Sequence, residues 1–457
     1  MIIAGCYHSH MLRSRRNFLR KAAAGSGILI GPARAFGAAS SPCRPTNPAG
    51  SASIAVTKSE SIPDALFEKA EPISMAEWTG RQVRGVSAAE VRDYAPAGFK
   101  GELKPSPPHA DGNPNHAVIV SWERGKHRLV FWHEASYDPW IELPNGVSLC
   151  NQFFEGNSGW AELFNNNGRR ERNSFVSIVQ SGPDRVWVRW NYFCVNKDDD
   201  SHPALHGTED YITHANGLVW RRLTYSTLMA DRPEGYSWQP IDFFALAPSG
   251  TTWSDLFEKD QEHGDCHVAS ALDAYSDLRY DVYWSEGSPP RRRGNKQMLL
   301  DISHSNGLAL VMPLTAGCLF TILGASSGFP SAKSQIVDHS FSDTGGWGWG
   351  SRRWDHWPIG WVNAQAHEYT PGSPYAYHFS PFSHYIVNKP LVDAHRDYAV
   401  EARDMDLNRW TERHVFYTLT GVGRDLESIR GLAKRWLDRG PACASPQSVS
   451  DLKWPAD

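Results

Sequence analysis

The sequence predicts an all-β body, a propeller or a large sandwich, preceded by a leader and closed by one helix. Three observations carry that expectation. Between Ala117 and Leu419, about a dozen short runs alternate apolar and polar residues, the period of a strand with one buried face. Turn sequences separate them, among them Glu123-Arg124-Gly125, Ser181-Gly182-Pro183-Asp184, Ala215-Asn216-Gly217 and Ser305-Asn306-Gly307, at hairpin spacing. Aromatic residues are many, with 19 Trp, 16 Tyr and 19 Phe among 457 residues. Most should fill β cores, and the surplus favours rings that stack on sugars.

In chain order, Arg13-Ser14-Arg15-Arg16-Asn17-Phe18-Leu19-Arg20-Lys21 sets paired arginines before an aromatic residue, a leucine and further positive charge. The weakly apolar stretch Ala22 to Ile30 follows, and small residues at Ala33, Ala35, Gly37 and Ala38 suit cleavage. Residues 1–39 therefore read as a signal peptide for the twin-arginine translocase. The apolar stretch is too short and too rich in Ala and Gly to stay in a bilayer. No later segment is apolar enough to span one, so the mature chain is expected in the periplasm or secreted. Residues 40–108 read as a linker and N-terminal extension, with Ser, Pro, Ala and Thr up to Ser61 and two short helices around Pro63–Lys69 and Ala88–Asp93.

The β domain is expected over 109–445. Its clearest strands are Ala117–Trp122, Arg128–Trp132, Phe175–Gln180, Arg185–Phe193, Asp210–His214 and Leu218–Ser226. Further runs are Asp281–Trp284, Gln297–Ile302, Ala309–Pro313, Cys318–Leu323, His378–Ile386 and His414–Leu419. At the end, Leu426 to Leu437 places Ile429, Leu432, Ala433 and Trp436 on one face, which predicts a helix packed on the sheets.

Composition excludes several partners. The formal net charge is -4 with no long run of one sign, which removes nucleic acid as a default ligand. The cluster Arg291-Arg292-Arg293 follows Ser288-Pro289-Pro290 and reads as a solvated loop tip. Of seven cysteines, Cys6 and Cys43 lie in or near the leader. The other five, Cys150, Cys194, Cys266, Cys318 and Cys443, are spaced irregularly without a CxxC pair. Buried thiols account for them better than a disulfide framework or a zinc site.

Several stretches resemble the ulvan-lyase families, polysaccharide lyase families 24 and 25. They are His127-Arg128-Leu129-Val130-Phe131-Trp132-His133-Glu134-Ala135-Ser136-Tyr137, Leu149-Cys150-Asn151-Gln152-Phe153-Phe154-Glu155, and Arg185-Val186-Trp187-Val188-Arg189-Trp190-Asn191-Tyr192. Gly217-Leu218-Val219-Trp220-Arg221-Arg222-Leu223-Thr224, Trp354-Asp355-His356-Trp357-Pro358-Ile359 and Leu432-Ala433-Lys434-Arg435-Trp436-Leu437 continue the series in order. The resemblance covers roughly His116 to Leu437 and implies a seven-bladed β-propeller with a C-terminal helix. It implies a lyase that cleaves an acidic polysaccharide, ulvan-like or a rhamnose–glucuronate polymer, by β-elimination. Where relatives carry zinc-binding histidines, Asn173 and Ser226 stand here, so no metal ligand is assigned, although room for a structural zinc or calcium ion is left open.

Elimination needs a cation on the uronate carboxylate, a base for the ring proton and an acid for the departing oxygen. The resemblance places Arg221 as the neutraliser, and alternation sends its neighbour Arg222 to the opposite face. His116 precedes one strand and His133 ends the next, so a hairpin sets both imidazoles on one rim as candidates for proton transfer. Tyr211 faces Arg221 across the Ala215-Asn216-Gly217 turn and joins them, and Tyr192 competes from the preceding strand. Tyr137, Tyr192, Trp354, His356 and Trp357 are candidate sugar contacts, with core packing the ordinary alternative for each aromatic ring. Gly345-Gly346-Trp347-Gly348-Trp349-Gly350 reads as a loop of stacking rings over a cleft. A glycoside hydrolase or a non-catalytic carbohydrate-binding propeller are the other readings, and the pair Glu209-Asp210 gives hydrolysis no support because alternation splits it.

Overall fold

Strands satisfy their backbone groups by pairing edge to edge and bury an apolar face against another layer; the described strands pair in two antiparallel sheets. The structure is a computed structural model. It describes residues 72–95, 116–123, 127–133, 137–150, 155–156, 161–162, 174–196, 199–227, 237–242, 244–248, 253–284, 291–299, 307–327, 333–338, 375–377, 382–387, 412–439, 449 and 452. The expected leader, the helix at Pro63–Lys69, the glycine–tryptophan loop and Trp354, His356 and Trp357 lie outside the described residues.

The first sheet begins with β1 (Val86–Val91), β2 (Ala117–Trp122), β3 (Arg128–Trp132), β4 (Pro139–Glu142) and β5 (Ser148–Cys150). The second takes β6 (Glu155–Gly156), β7 (Ala161–Glu162), β8 (Ser174–Ser181), β9 (Arg185–Asn196), β10 (Asp199–His214), β11 (Val219–Thr227) and β12 (Ser237–Asp242). After β13 (Phe244–Pro248) returns to the first sheet, β14 (Cys266–Asp273), β15 (Arg279–Trp284), β16 (Arg291–Gly294), β17 (Leu308–Leu314), β18 (Gly317–Ser327) and β19 (Lys333–Asp338) extend the second. Last come β20 (Tyr375–Tyr377) in the first sheet, then β21 (Phe382–Val387) and β22 (Glu412–Gly423) in the second.

In space the seven-stranded sheet runs β1-β2-β3-β4-β5-β13-β20. The 15-stranded sheet runs β16-β15-β14-β17-β18-β22-β11-β10-β9-β7-β6-β12-β21-β19, with β8 beside β9. The mainly β fold and the C-terminal helix match the expectation. The seven blades do not: a blade is a separate four-stranded sheet, whereas this hydrogen-bonded path is unbroken from β16 to β19. No closed barrel or propeller is found among the described residues.

One apolar cluster spans both sheets, joining Val118, Val130 and Trp132 of the first to Val188, Trp190 and Tyr211 of the second. A second lies on the other face of the larger sheet, where Ile212, Trp220 and Leu419 meet the helix. That helix, the last of α1 (Met75–Gly80), α2 (Trp253–Leu256) and α3 (Leu426–Asp438), starts at a capping box between Asp425 and Ser428. It buries Ile429, Leu432, Ala433 and Trp436, the face its periodicity predicts. Burial of Ile429 and Leu432 contributes about 1.5–3 kcal/mol each. The buried Cys266 and Cys318 are free thiols.

Three local expectations are corrected. Ala88–Asp93, expected as helix, lies largely in β1 and pairs with β2 from Val86↔Trp122 to Val91↔Ala117. Its alanines and glutamate favour helix, but Val86 and Val91 are fully buried by the pairing, and tertiary contacts win. Arg291–Arg293 is not a loop tip but the edge strand β16, where charged side chains discourage pairing with another chain. Of Gln297–Ile302, expected as a strand, Gln297–Leu299 belong instead to the 3-10 turn Lys296–Leu299, and residues 300–302 lie outside the described residues.

Candidate functional site

Alternation on three adjacent strands delivers one polar cluster to the face shared with the first sheet. Tyr211 of β10 pairs with Val188 of β9 and directly with Arg221 of β11. Glu209, two residues earlier on β10, points to the same face. The Ala215-Asn216-Gly217 turn holds this register. Gly217 sits at φ 86, the Asn216 side chain accepts from Leu218 N at 3.1 Å, and His214 N donates to Leu218 O at 2.9 Å.

Arg221 is fully buried and grips Glu209 with both arms of its fork, Nε to Oε2 at 2.5 Å and Nη2 to Oε1 at 2.8 Å. Tyr211 Oη donates to Oε2 at 2.5 Å and Tyr192 Oη to Oε1 at 2.8 Å. Gly207 makes the second phenol bond available. The Tyr192 ring lies over it so closely that a Cβ there would stand 2.2 Å from Cζ. Burial opposes the charge on Arg221, but Glu209 and the two phenols more than offset it and hold the guanidinium protonated. Burial also pushes the Tyr211 phenol well above its ordinary range, with Glu209 and Asp138 adding to the rise. Tyr211 is thus a permanent donor.

Sequence reasoning places Arg221 and Tyr211 side by side, and the structure does so. It also supplies what that reasoning missed: the carboxylate in the guanidinium fork belongs to Glu209. Glu209 takes the Nε/Nη2 edge of the guanidinium and the whole side chain is 0% exposed, so Arg221 presents no accessible face to a uronate in this structure. Tyr192, expected against sugar, is 0% exposed and packed on Trp190 at 4.3 Å between ring centroids. Arg222 and Asp210 share the other face. There Asp210 accepts from Arg222, from Arg189 Nε at 2.8 Å and from Trp187 Nε1 at 2.8 Å. Burial would raise the Asp210 carboxyl, yet the two arginines hold it below its ordinary value. Glu209 and Asp210 therefore face apart, as alternation requires.

A second constellation forms at the end of the β2–β3 hairpin. His133 N donates to His116 O at 2.9 Å, so the two histidines share one rim as expected. They meet over Tyr137, whose ring is edge-on to both, at 6.0 Å from His116 and 5.6 Å from His133. His116 Nδ1 lies 3.0 Å from Tyr137 Oη, and its Nε2 lies 3.2 Å from Glu90 Oε2. An ionised carboxylate only accepts, so Nε2 carries a proton toward Glu90. In the neutral ring Nδ1 is then the acceptor for the phenol.

Glu90 carries no site signal in the sequence, because Ala88-Ala89-Glu90 favours helix. It reaches His116 because Val91 pairs with Ala117. Tyr137 has φ 59, a left-handed conformation that costs a non-glycine residue about 1–3 kcal/mol and collects at functional sites. The His116 and Glu90 side chains keep 17% and 28% of their exposure, while His133 and Tyr137 are buried. The Phe131 ring, 5.1 Å from Tyr211, links this rim to the Arg221 cluster.

Among the described residues no group of three or more His, Cys, Asp or Glu side chains is placed to hold a metal ion. No described helix is long and apolar enough to cross a membrane.

No protein-family model matches the chain, and no curated protein matches it. Among solved structures, galactose 1-epimerase from Lactobacillus acidophilus NCFM aligns with 74% of this chain and 100% of its own. The identity is 9% and the TM-score 0.27, a likeness too slight to carry an argument.

Proposed function

We propose that the chain is an exported polysaccharide lyase that cleaves a uronate-containing polymer, ulvan-like or rhamnose–glucuronate, by β-elimination. The observation that supports this most is the hydrogen-bonded chain Glu90–His116–Tyr137. Its phenol oxygen takes the proton from the ring carbon next to the carboxylate as its own proton passes to His116 Nδ1. The electron pair released from that carbon–hydrogen bond forms the ring double bond, and the bond to the glycosidic oxygen breaks. His116 then returns a proton through the phenol to the departing oxygen. Glu90 orients the imidazole and stabilises it while it is charged. The reading needs a cation for the uronate carboxylate, and Arg221 is withdrawn from that role because Glu209 occupies its fork. It does not need the seven-bladed arrangement that the family resemblance implies. The twin-arginine leader supports delivery to the periplasm or beyond.

A second reading, a non-catalytic carbohydrate-binding protein, is favoured by the complete burial of Arg221, Tyr192 and Tyr211. One assay separates the readings. The mature protein is incubated with ulvan, glucuronan and gum arabic, and unsaturated uronate absorbance is followed beside reducing ends. Elimination raises both signals. Reducing ends alone mean a hydrolase, and neither signal ends the enzymatic reading.

A further inference from the structure

At the opposite end of the β2–β3 hairpin from His116 lies a cavity of about 400 Å³, within the roughly 300–1,000 Å³ typical of small-ligand sites. The six residues of β2 separate the two places by about 20 Å at about 3.3 Å per residue. Trp78, Arg81, Ser121, His127, Arg128 and Glu142 are among its walls.

Its charges are unevenly committed. Arg128 is bound to Glu142, whose second oxygen accepts from Tyr94 Oη at 2.7 Å. Those groups balance one another. Arg81 is exposed. Its backbone N–H donates to Trp78 O at 3.2 Å, but its guanidinium makes no hydrogen bond or close ion pair among the described residues and acts on Glu77 only at longer range, so one positive charge at the wall has no close counter-ion. Two polar groups there are also unmatched. The Ser121 hydroxyl makes no hydrogen bond among the described residues, and His127 Nε2 is buried with no hydrogen-bond partner. The His127 ring lies tilted against Trp122, 4.6 Å between centroids, and burial lowers its pKa to about 4, so it faces a ligand as a neutral ring. The remaining wall is the Trp78 indole with Val83, Leu143 and Pro144. A single cation, unmatched groups for hydroxyls and an aromatic-apolar wall together describe a ring with one carboxylate, several hydroxyls and a C–H face.

We propose that this cavity binds a monosaccharide acid, its carboxylate against Arg81 and its hydroxyls toward Ser121 and His127. The inference uses none of the residues of the Glu90–His116–Tyr137 chain, so it stands or falls apart from the elimination reading. Titration calorimetry on the full chain tests it with glucuronate, glucose and acetate. Glucuronate should bind saturably, and glucose and acetate at least tenfold more weakly. Arg81→Gln should lose at least tenfold toward glucuronate with an unchanged melting temperature, because its side chain is at the surface. No saturable glucuronate binding overturns the proposal, as does equal affinity for glucose or acetate. Undiminished binding by Arg81→Gln overturns it too.

Discussion

The Arg221 cluster and the Glu90 chain are built from the same chemistry, a carboxylate, a nitrogen base and phenol, yet they differ in what each atom has left to give. Both Glu209 oxygens are saturated by two nitrogens and two phenols, at zero exposure. Such a network fixes the packing of three strands and has no vacancy for a substrate. In the Glu90 chain the hydrogen bonds run in series from Glu90 through His116 to Tyr137, and Glu90 and His116 stay partly exposed while Tyr137 is buried. Charge alone therefore does not separate the two clusters; the exposure kept by the carboxylate and its imidazole does.

The most damaging way to probe that contrast is Arg221→Met. It strands the Glu209 carboxylate in the core, which should cost about 3–5 kcal/mol, read from the denaturant midpoint. Adding Glu209→Gln removes the stranded charge and should recover part of the loss. A single variant with a wild-type midpoint would return Arg221 to the list of candidates for contact with substrate.

Histidines show the same contrast at opposite ends of one hairpin. His127, partly buried with its Nε2 away from solvent, resists protonation down to about pH 4, while the unfolded chain binds that proton near pH 6.5. The native state thus excludes a proton that the unfolded state takes up, and stability falls as pH drops from 6.5 to about 4, by up to about 3 kcal/mol. Chemical denaturation across that interval checks it, with His127→Phe flattening the slope. A slope unchanged by that substitution would mean the acid sensitivity lies elsewhere.

Gly207→Ala sharpens the comparison from the packing side. The new methyl collides with the Tyr192 ring and should cost about 1–3 kcal/mol. Combined with Tyr192→Ala the two losses should sum to less than their total, because the second removes the obstacle to the first. Strict additivity would show that the ring has moved off Gly207 without help.

What the sequence made legible follows from how local each signal is. β2 and β3 have the bounds that alternation predicts, because each run is strongly apolar and bounded by turn residues. The Tyr211–Arg221 pair was readable from the turn between them, which sets hairpin register within a few residues. Glu209 stood equally close, but as one of a carboxylate pair split by alternation it looked inert. Its partner could be named only by knowing which face is buried. Glu90 was hidden by the helix-forming Ala88-Ala89-Glu90, and β14 by the small, mixed run Cys266–Asp273, which acquires strand structure from pairing with β15 and β17. The sheet order was beyond local reading altogether, since β11 meets β22 across nearly two hundred residues of chain.

Tyr137→Phe should perturb stability least and function most. It removes one hydroxyl and its bond to His116, a net loss of about 0.5–1.5 kcal/mol, and it keeps the ring that both histidines pack against. The backbone at φ 59 makes the same demand of Phe as of Tyr, so strain is unchanged. If the phenol relays the proton, however, turnover should fall about 10²–10⁴-fold. Glu90→Gln, which still bonds Nε2 but cannot stabilise a charged imidazole, should fall less and shift the pH profile of turnover. A melting curve and an initial-rate assay on the same preparation give both readings. Activity that survives Tyr137→Phe at full rate would reduce this rim to a second structural cluster, and the contrast with Arg221 would become one of exposure alone.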